Sequence, residues 1–470
     1  MEAPSTDTPS CSGCAERDRR IAGLEARVAA LEALVEQLRR GGKRQAAPFA
    51  KAPPKADPKK PGRKGGDDYG VKARRAVPPR IDETHEAPLP PACPACGGTH
   101  VERTHTAEQY QAEIPRRVIY RKFNVQVGRC RRCGKRVQGR HPLQTSDALG
   151  AAASQLGPDA QAAAVHLNKV AGLSHGKVRA FFRSLFGIDV SRGGSCHAVL
   201  RAGRKAQGNY DAIVRGVRQS GRVVPDRSGN RRLPRDETGW RIGGHSAWLH
   251  AFATPDAVAY HVDRRRGFDA AAAVLGEDYA GKMTHDGWAP YLRFWRALHQ
   301  ACLGHLLRRC GELLETATRG AVNFPRRVKA LLQEGLAIRD ARDAGTLSAR
   351  RAAARADELD ARMHTLLSPV KTHPPNERFA AHLWKSRRHL FTFLRHPDVD
   401  ATNWRAERAL RPAVVNRKVW GGNRTDAGAR AQSVLMSVLQ TAKLRGTDSM
   451  QFLSRLLCAP ADQQPLLIGG

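Results

Sequence analysis

Three acidic residues have types and spacings that could serve phosphoryl chemistry. Asp236 and Asp286 each lie near the end of a short predicted strand, and Glu407 lies in the first turn of a predicted helix. Divalent cations such as Mg²⁺ need oxygen ligands, and clustered carboxylates supply both the ligands and the neutralising charge. Two such ions, about 4 Å apart, can activate an attacking oxygen and stabilise a leaving one. We interpret the three acids as ligands of two Mg²⁺ or Mn²⁺ ions, with Asp236 bridging both.

The elements that must position these acids follow a definite order. Alternating apolar residues predict strands over 232–238, 247–253 and 258–262, then a helix over 268–275 and a short strand over 281–287. This β-β-β-α-β order matches the opening of a ribonuclease-H-like fold. In that fold the first Asp lies on the first strand and the second Asp at the end of the fourth.

The third acid, Glu407, would come from a later helix, with Thr402 or Asn403 as its cap. The interval between Asp286 and Glu407 is too long for a bare core, and it is helix-rich and charged. We therefore predict a multidomain α+β protein. Its catalytic core spans 222–302 and 396–445, with a helical insertion over 303–395 and a C-terminal tail over 446–470.

The charge of the chain points to a polyanionic partner. Lys and Arg outnumber Asp and Glu by 79 to 44, a formal net charge of +35. Because each phosphate neutralised by Lys or Arg releases condensed counterions, double-stranded DNA is the expected partner. Near the acids, the cations Arg411, Arg417 and Lys418 could hold scissile or flanking phosphates.

A helical region over 150–210 precedes the core. Helices predicted over 160–167, 177–186 and 195–208 are separated by glycine-containing turns. This pattern is compatible with a helix-turn-helix-like DNA-binding domain, although any small helical bundle would show it. The candidate DNA contacts here are Lys169, Lys177 and Arg179.

Two C-x-x-C-Gly knuckles indicate a zinc module over 91–142. Their thiols belong to Cys93, Cys96, Cys130 and Cys133. Four thiolates give closed tetrahedral coordination, which is typical of structural rather than catalytic Zn²⁺. Alternating apolar residues over 118–127 predict short strands between the knuckles.

The N-terminal region carries a heptad pattern over 16–40. Ile21, Leu24, Val28, Leu31, Val35 and Leu38 recur at steps of three and four. This spacing favours a coiled coil that joins two copies, although a single amphipathic helix packed on the chain's own core would also fit. The Lys-, Pro- and Gly-rich stretch over 41–90 is predicted to be a basic disordered linker.

The sequence contains no apolar run near the ~20 residues that a membrane-spanning helix needs, and no signal-peptide core. C-x-x-C pairs without a secretion signal favour metal thiolates over disulfides. We therefore expect a cytoplasmic protein without a membrane partner.

Several motifs occur in one order along the chain. They are Asp236-Glu237-Thr238-Gly239-Trp240, Asp286-Gly287-Trp288, His305-Leu306-Leu307-Arg308-Arg309, Asn403-x-x-Ala406-Glu407-Arg408-Ala409-Leu410-Arg411-Pro412, and Asn416-Arg417-Lys418. Together with the heptads and the four cysteines, they resemble the transposases of the insertion-sequence-sixty-six family, members of the DDE class. Two departures concern positioning: a single Asn403 where two amides are usual, and Cys302-Leu303-Gly304-His305 in the central motif, where an alanine normally precedes the histidine.

The resemblance implies a DNA transposase that binds the ends of an insertion sequence, cuts them and joins them to target DNA. It further implies a homodimer or higher oligomer, small accessory proteins of the same element, and a nucleoid-associated location in the bacterial cytoplasm. Two alternatives stay open: a DNA-binding regulator of the same ancestry that has lost cleavage, and another ribonuclease-H-like nuclease.

Overall fold

The computed structural model describes residues 16, 20–28, 30–32, 77–112, 114, 117–149, 155–227, 239–460 and 463–468. The chain divides into two compact units, one formed by Met1–Pro48 with Lys122–Gly470 and the other by Phe49–Arg121. The larger unit contains helices, which lie mostly before and after the strands, and a mixed β-sheet, in agreement with the predicted α+β class. Among the described helices, none has both the length and the apolar composition to cross a membrane.

The N-terminal heptad segment is helical over 20–28 and 30–32. Its apolar positions Ile21, Leu24, Val28 and Leu31 are about half exposed. The last two heptad positions, Val35 and Leu38, lie outside the described residues, as does most of the predicted linker. Pairing with a second copy stays a prediction.

Four helices lie between residue 155 and the sheet. They are α1 (Pro158–Lys169), α2 (His175–Phe186), α3 (Arg192–Lys205) and α4 (Gln207–Gln219). The turns begin the next helix with serine caps: the Ser174 side chain accepts from Lys177 N, and the Ser191 side chain accepts from Gly194 N. A small core that includes Ala164, Val178 and Phe182 packs α1 against α2.

The central sheet has six strands among the described residues. They are β3 (Arg222–Arg227), β4 (Trp240–Ile242), β5 (His245–Ala253), β6 (Val258–Asp263), β7 (Lys282–His285) and β8 (Leu298–Ala301). β5 pairs antiparallel with β6, with β4 and with β3, while β3, β7 and β8 run parallel to one another. The helix α5 (Phe268–Leu275) connects β6 to β7. The positions of β5, β6 and α5 agree with the sequence to within two residues.

Both faces of the sheet are covered. On one face, Val223 and Met283 pack in a large core with α4, α5, α12 (Asp426–Leu444) and α13 (Ser449–Cys458). On the other face, Val224 and Ala251 pack with α11 (Trp404–Trp420) and the start of α12. This second face is called the α11 face below.

The edges of the sheet are also covered. The backbone N–H groups of Val258, Tyr260 and Val262 in β6 donate to the hydroxyls of Thr441, Ser437 and Ser433 at 3.1, 2.8 and 3.0 Å. These hydroxyls recur every four residues on α12, so one stripe of the helix satisfies every second N–H of the strand. At β8, His299 O accepts from Thr392, and Gln300 accepts from Phe393 N.

The helices between β8 and α11 enclose a core of their own. They are α6 (Leu303–Thr316), α7 (Asn323–Asp343), α8 (Ala349–Leu367), α9 (Pro374–Ser386) and α10 (Thr392–Arg395). Val328, Leu332, Leu359, Leu383 and Phe393 are completely buried in this core. The charged composition of the segment is thus combined with a continuous apolar interior.

Candidate active site and metal-binding segments

Asp286 lies directly after β7, at the carboxyl end of the parallel strands. Its Oδ1 atom accepts a hydrogen bond from Trp288 N at 3.0 Å. The neighbouring strand β8 is held in register with β7, with His285 opposite Ala301, and Cys302 N donates to His285 O at 2.8 Å. The ends of β7 and β8 therefore fix the backbone on which Asp286 stands.

Glu407 reaches the same edge from α11. Its Oε1 atom lies 3.5 Å from Nε2 of His305, in the first turn of α6. The Nδ1 atom of His305 lies 3.3 Å from Sγ of Cys302, the residue whose amide bonds the end of β7. A continuous set of contacts thus links Glu407 to the strand end that carries Asp286.

Asn403 does not cap α11 with its side chain, contrary to the sequence interpretation. Its Oδ1 atom instead accepts from the Cys302 thiol at 3.1 Å, and its backbone N–H donates to the same sulfur at 3.3 Å. Burial raises the pKa of Cys302 to about 11, so the thiol is neutral near pH 7. A neutral thiol is a poor metal ligand, and Cys302 serves here to tie the start of α11 to the end of β8.

Three histidines form a row next to Asp286, called the buried histidine row below: His285 and His299 are buried, and half-buried His389 lies at its end, with its ring centroid 5.3 Å from that of His299. His285 Nε2 lies 3.1 Å from His299 Nδ1, and His299 Nε2 lies 3.0 Å from Phe294 O. His285 Nδ1 accepts from Gly287 N at 3.1 Å, which fixes the turn after Asp286. Burial lowers the pKa of His285 well below its usual value, with His299 and His389 adding repulsion. His285 is thus a packed strand residue, and His299 faces His285 rather than Cys302 and His305.

Asp236 lies outside the described residues, as does the strand predicted over 232–238. The first strand of the sheet is β3, ten residues earlier in the chain, and it carries Asp226, whose side chain is 9% exposed. Within the described ranges, no three or more His, Cys, Asp or Glu side chains form a group that could already hold a metal ion.

The cations proposed from the sequence near Glu407 all lie on α11. Arg411 and Lys418 are exposed, one and three turns beyond Glu407. Arg417 is half-buried, and its Nη1 atom donates to Gly239 O at 2.7 Å, which ties α11 to the residue before β4. Arg411 and Lys418 could meet phosphates, whereas Arg417 has a contact within the fold.

The helical region treats its three candidate cations differently. Lys177 is exposed on α2, and Arg179 is partly exposed beside Asp189 at 3.4 Å. Lys169 is only 4% exposed; its Nζ donates to Gln432 Oε1 at 2.6 Å and lies 5.4 Å from the centroid of the Trp420 ring. Burial lowers the pKa of Lys169 to about 8. Lys169 therefore does not face solvent as the sequence interpretation required.

Both cysteine knuckles adopt turns that bring each pair of thiols together. Cys93 N donates to Gly98 O and Gly97 N to Cys93 O, and Cys130 and Gly134 repeat this pattern. Gly97 and Gly134 have φ of 74° and 68°, a left-handed conformation that a side chain would strain. Backbone N–H groups lower the pKa of Cys93 and of Cys130, which favours the thiolate form that binds metal.

The two knuckles belong to different compact units, so their joint coordination stays a prediction. The strands expected over 118–127 are mostly absent from the described residues 117–126: β1 (Val127–Arg129) pairs with β2 (Arg136–Gln138) around the second knuckle. Ile119 and Tyr120 are 61% and 78% exposed, and no strand of the described residues pairs with this alternating segment.

Two features of the site were not found from sequence. His305 and Glu407, which are in contact, are 102 positions apart in the sequence. The only indication of this contact in the sequence was the position of His305 in the first turn of a helix. Asp226 was overlooked because a proline precedes it and the Asp236 motif stands out more clearly.

Comparison with known proteins adds family evidence. A family model described as "Transposase IS66 family" matches residues 153–431, more than half of the chain and all three predicted acids. An uncharacterized protein named y4qI from Sinorhizobium fredii (strain NBRC 101917 / NGR234) is 25% identical over 305 residues. The match covers 59% of this chain and 55% of that protein, so the chain spans about half the length of this curated relative.

Proposed function

Since the chain belongs to the IS66 family of transposases, we propose that it is the DNA transposase of an insertion sequence, which binds the element's ends, cuts them and transfers the freed strands. The observation that carries this proposal is the convergence of Asp286 and Glu407 on one sheet edge through Cys302 and His305. In the proposed DDE reaction, water opens a phosphodiester bond at an element end and leaves a 3′-hydroxyl. That hydroxyl then attacks a phosphodiester bond of the target, whose own 3′-oxygen leaves.

The donor chemistry fits divalent metal ions. Asp286 and Glu407 offer carboxylate oxygens, the ligands that Mg²⁺ and Mn²⁺ prefer, and a third carboxylate would come from the first-strand region. Two bound ions would supply activation of the attacking oxygen and stabilisation of the leaving one. Asp236 is the third ligand that the motif implies.

The chain's own residues would prepare this edge. The Trp288 N–H orients one oxygen of Asp286, and His305 holds one oxygen of Glu407. Arg411 and Lys418, exposed on the same helix as Glu407, would bind phosphates on either side of the cut. Arg417 would act indirectly, through its bond to Gly239 O.

A ribonuclease-H-like core is supported by the order of the elements. Antiparallel β5 and β6 follow β3 and β4, α5 leads to parallel β7, and a later helix supplies Glu407. Exposed Lys177 and partly exposed Arg179 on α2 would help the helical region to bind double-stranded DNA, consistent with the net charge of +35.

The remaining expectations belong to the same proposal. The four knuckle cysteines would hold a structural Zn²⁺, and the heptad helices would join at least two copies. Small accessory proteins of the element would assist, and the protein would work at the nucleoid in the bacterial cytoplasm.

The test is a cleavage and joining assay on DNA that carries the element's ends, with Mg²⁺ or Mn²⁺. Wild type is compared with Asp286→Asn and Glu407→Gln, and Asp278→Asn, an exposed acid, is the matched control. We expect wild type and the control to nick and join, and both site variants to bind DNA without cutting. Metal-independent cutting, or equal cutting by Asp286→Asn, would contradict the proposal. If wild type itself binds the DNA but does not cut it, even with accessory proteins, the regulator alternative is favoured.

A further inference from the structure

Strand β3 carries an acidic residue that is level with Asp286 in the parallel register of β3 and β7. The two strands are parallel, with Arg222 opposite Lys282 and Val223 opposite Met283. The same register carried three residues further brings Asp226 opposite Asp286. Neighbouring strands lie ≈ 4.7–4.9 Å apart, so the two backbones are within reach of one shared cation at this position.

The side chains of both strands alternate in the same phase. Val223 and Met283 belong to the core on one face, while Val224 belongs to the α11 face. Asp226 is two residues beyond Val224 and lies opposite Ala251, which also belongs to the α11 face. Asp286 is two residues beyond Thr284, whose hydroxyl donates to Asp400 O just ahead of α11. Asp226 and Asp286 thus share the face covered by the helix that carries Glu407.

The connection from β3 to β4 contains more residues than are needed to span the distance between their partners on β5. Arg227 lies opposite His250 and Trp240 lies opposite Ala247, so only Trp248 and Leu249 separate their partners. A side chain built on Gly239 would meet Ala247 O and Trp248, and Trp248 pairs with Asp263 of β6 on its other edge. β3 and β4 therefore share one edge of β5. Twelve residues, 228–239, span a gap that two would fill.

The excess of ten residues has a consequence for the Asp-Glu-Thr-Gly-Trp motif. Removal of residues 227–236 would join Asp226 to Glu237 and regenerate Asp-Glu-Thr-Gly-Trp without a change of ladder register. Asp226 and Asp236 are therefore two candidates for one ladder position, and β3 in the structure already has Asp226 there.

We propose that Asp226, rather than Asp236, is the metal-ligating carboxylate of the first strand. The assignment rests on the proposed function for the identity of the site, and on register and face for the choice of residue. The described acids are not gathered into a ready metal group, so their side chains must turn toward one another when the cation binds.

Two readouts test the assignment on the full-length protein. The first is Mn²⁺ binding, followed by electron paramagnetic resonance of free Mn²⁺ in the absence of DNA; the second is end cleavage. Three variants are compared with wild type: Asp226→Asn, Asp236→Asn and the control Asp278→Asn. Each must have the same melting temperature as wild type, so that weaker binding does not reflect unfolding. We expect Asp226→Asn to bind Mn²⁺ at least ~10-fold more weakly and to stop cutting. Even substitution of a residue that only hydrogen-bonds to a metal ligand typically lowers metal affinity by about 10–100-fold. Asp236→Asn should match wild type in both readouts.

The shortened chain lacking 227–236 guards against a folding artefact. It retains one Asp at the ladder position, so we expect it to bind Mn²⁺ like wild type, and its own Asp226→Asn variant to lose that binding. If the shortened chain binds Mn²⁺ normally with Asn at this position, the ladder position is not a metal ligand and the proposal is overturned.

The outcomes separate this proposal from the proposed function. Weak Mn²⁺ binding in Asp236→Asn, alone or together with Asp226→Asn, overturns the assignment to Asp226 but leaves the transposase proposal standing. Normal binding in both variants overturns the assignment as well. If wild type binds Mn²⁺ through Asp226 yet never cuts element ends, the ligand assignment stands and the proposed function fails.

Discussion

The Nε2 atom of His305 lies 3.5 Å from the Oε1 atom of Glu407, across the gap between the first turns of α6 and α11. The His305 ring is 16% exposed and the Glu407 side chain 43% exposed, so the histidine is the fixed partner. His305 is in turn held beside Cys302, at the end of β8. This arrangement makes His305 a positioning residue for the carboxylate of Glu407.

We expect His305→Ala to lower the end-cleavage rate by about 10–100-fold, because Glu407, the carboxylate proposed to bind metal, loses its orientation. His305→Gln should recover part of the rate, since its amide can donate to Glu407. His197→Gln, at an exposed histidine of α3, is the control. An end-cleavage rate in His305→Ala equal to that of wild type would show that this contact does not position the carboxylate.

Lys169 should affect stability rather than DNA binding. Its folded pKa of about 8 lies below the ordinary value near 10.5, so the unfolded chain holds the proton more tightly. Between pH 8 and pH 10.5 this residue therefore adds stability as pH rises, by about 3 kcal/mol in all. We expect thermal unfolding of Lys169→Met, in reducing buffer, to lack this rise. A parallel rise in both proteins would show that the ammonium is solvated.

Lys177 should affect DNA binding rather than stability. We expect Lys177→Met to weaken binding to all duplex sequences and to reduce the slope of log K against log salt by about 1, as for one lost phosphate contact. The matched buried variant Lys169→Met should leave the slope unchanged. Fluorescence anisotropy at several salt concentrations measures both; equal slopes for Lys177→Met and wild type would remove α2 from the DNA-binding surface.

The buried histidine row should make the protein acid-sensitive. Burial, with repulsion from His299 and Arg388, lowers the pKa of His389 to about 4. Above pH 6.5 this histidine is neutral in both the folded and the unfolded chain and does not lower the free energy of unfolding. As the pH falls from 6.5 toward 4, only the unfolded chain binds the proton, so the free energy of unfolding decreases. We expect His389→Gln to remove roughly 1 kcal/mol of the loss between pH 7.5 and pH 5, after discounting for partial exposure. Urea unfolding at the two pH values measures this; a steeper loss in the variant would contradict it.

The knuckles should bind one Zn²⁺ per chain. We expect Cys93→Ser and Cys130→Ser each to abolish bound zinc in elemental analysis, because four thiolates close one tetrahedral site. Cys196→Ser, on α3, should retain zinc. Loss of zinc from only one of the two knuckle variants would indicate that the knuckles do not share an ion.

Local sequence patterns predicted several of the individual elements. Strand alternation gave β5 and β6, and the Ala-rich stretch after Gly267 gave α5 with its observed bounds, Phe268–Leu275. Asp286 was expected near the end of a short strand over 281–287, and it lies directly after β7 (Lys282–His285). These features depend on contacts between residues that are close in sequence, and such contacts can be predicted from the periodicity of apolar residues.

Features that depend on distant partners were not predictable. Lys169 is on a helix with several cations, and only its contact with Gln432, 263 residues away, shows that it is buried. Similarly, the position of Asp226 is defined by its register with β5 and β7, which no local pattern specifies. The Asp236 motif was visible in sequence, but the ten additional residues before it could be recognised only from the ladder.

The serine and threonine stripe of α12 has a consequence for how copies of this chain can associate. An uncovered strand edge invites addition of a foreign strand, which leads to sheet extension or aggregation. In the described part of the sheet, the outward N–H groups of β6 already donate to the hydroxyls of Ser433, Ser437 and Thr441, and the segment around Thr392 covers β8. If two copies assemble on neighbouring DNA ends, as proposed, these covered edges disfavour the merging of their sheets at the high local concentration of such a complex.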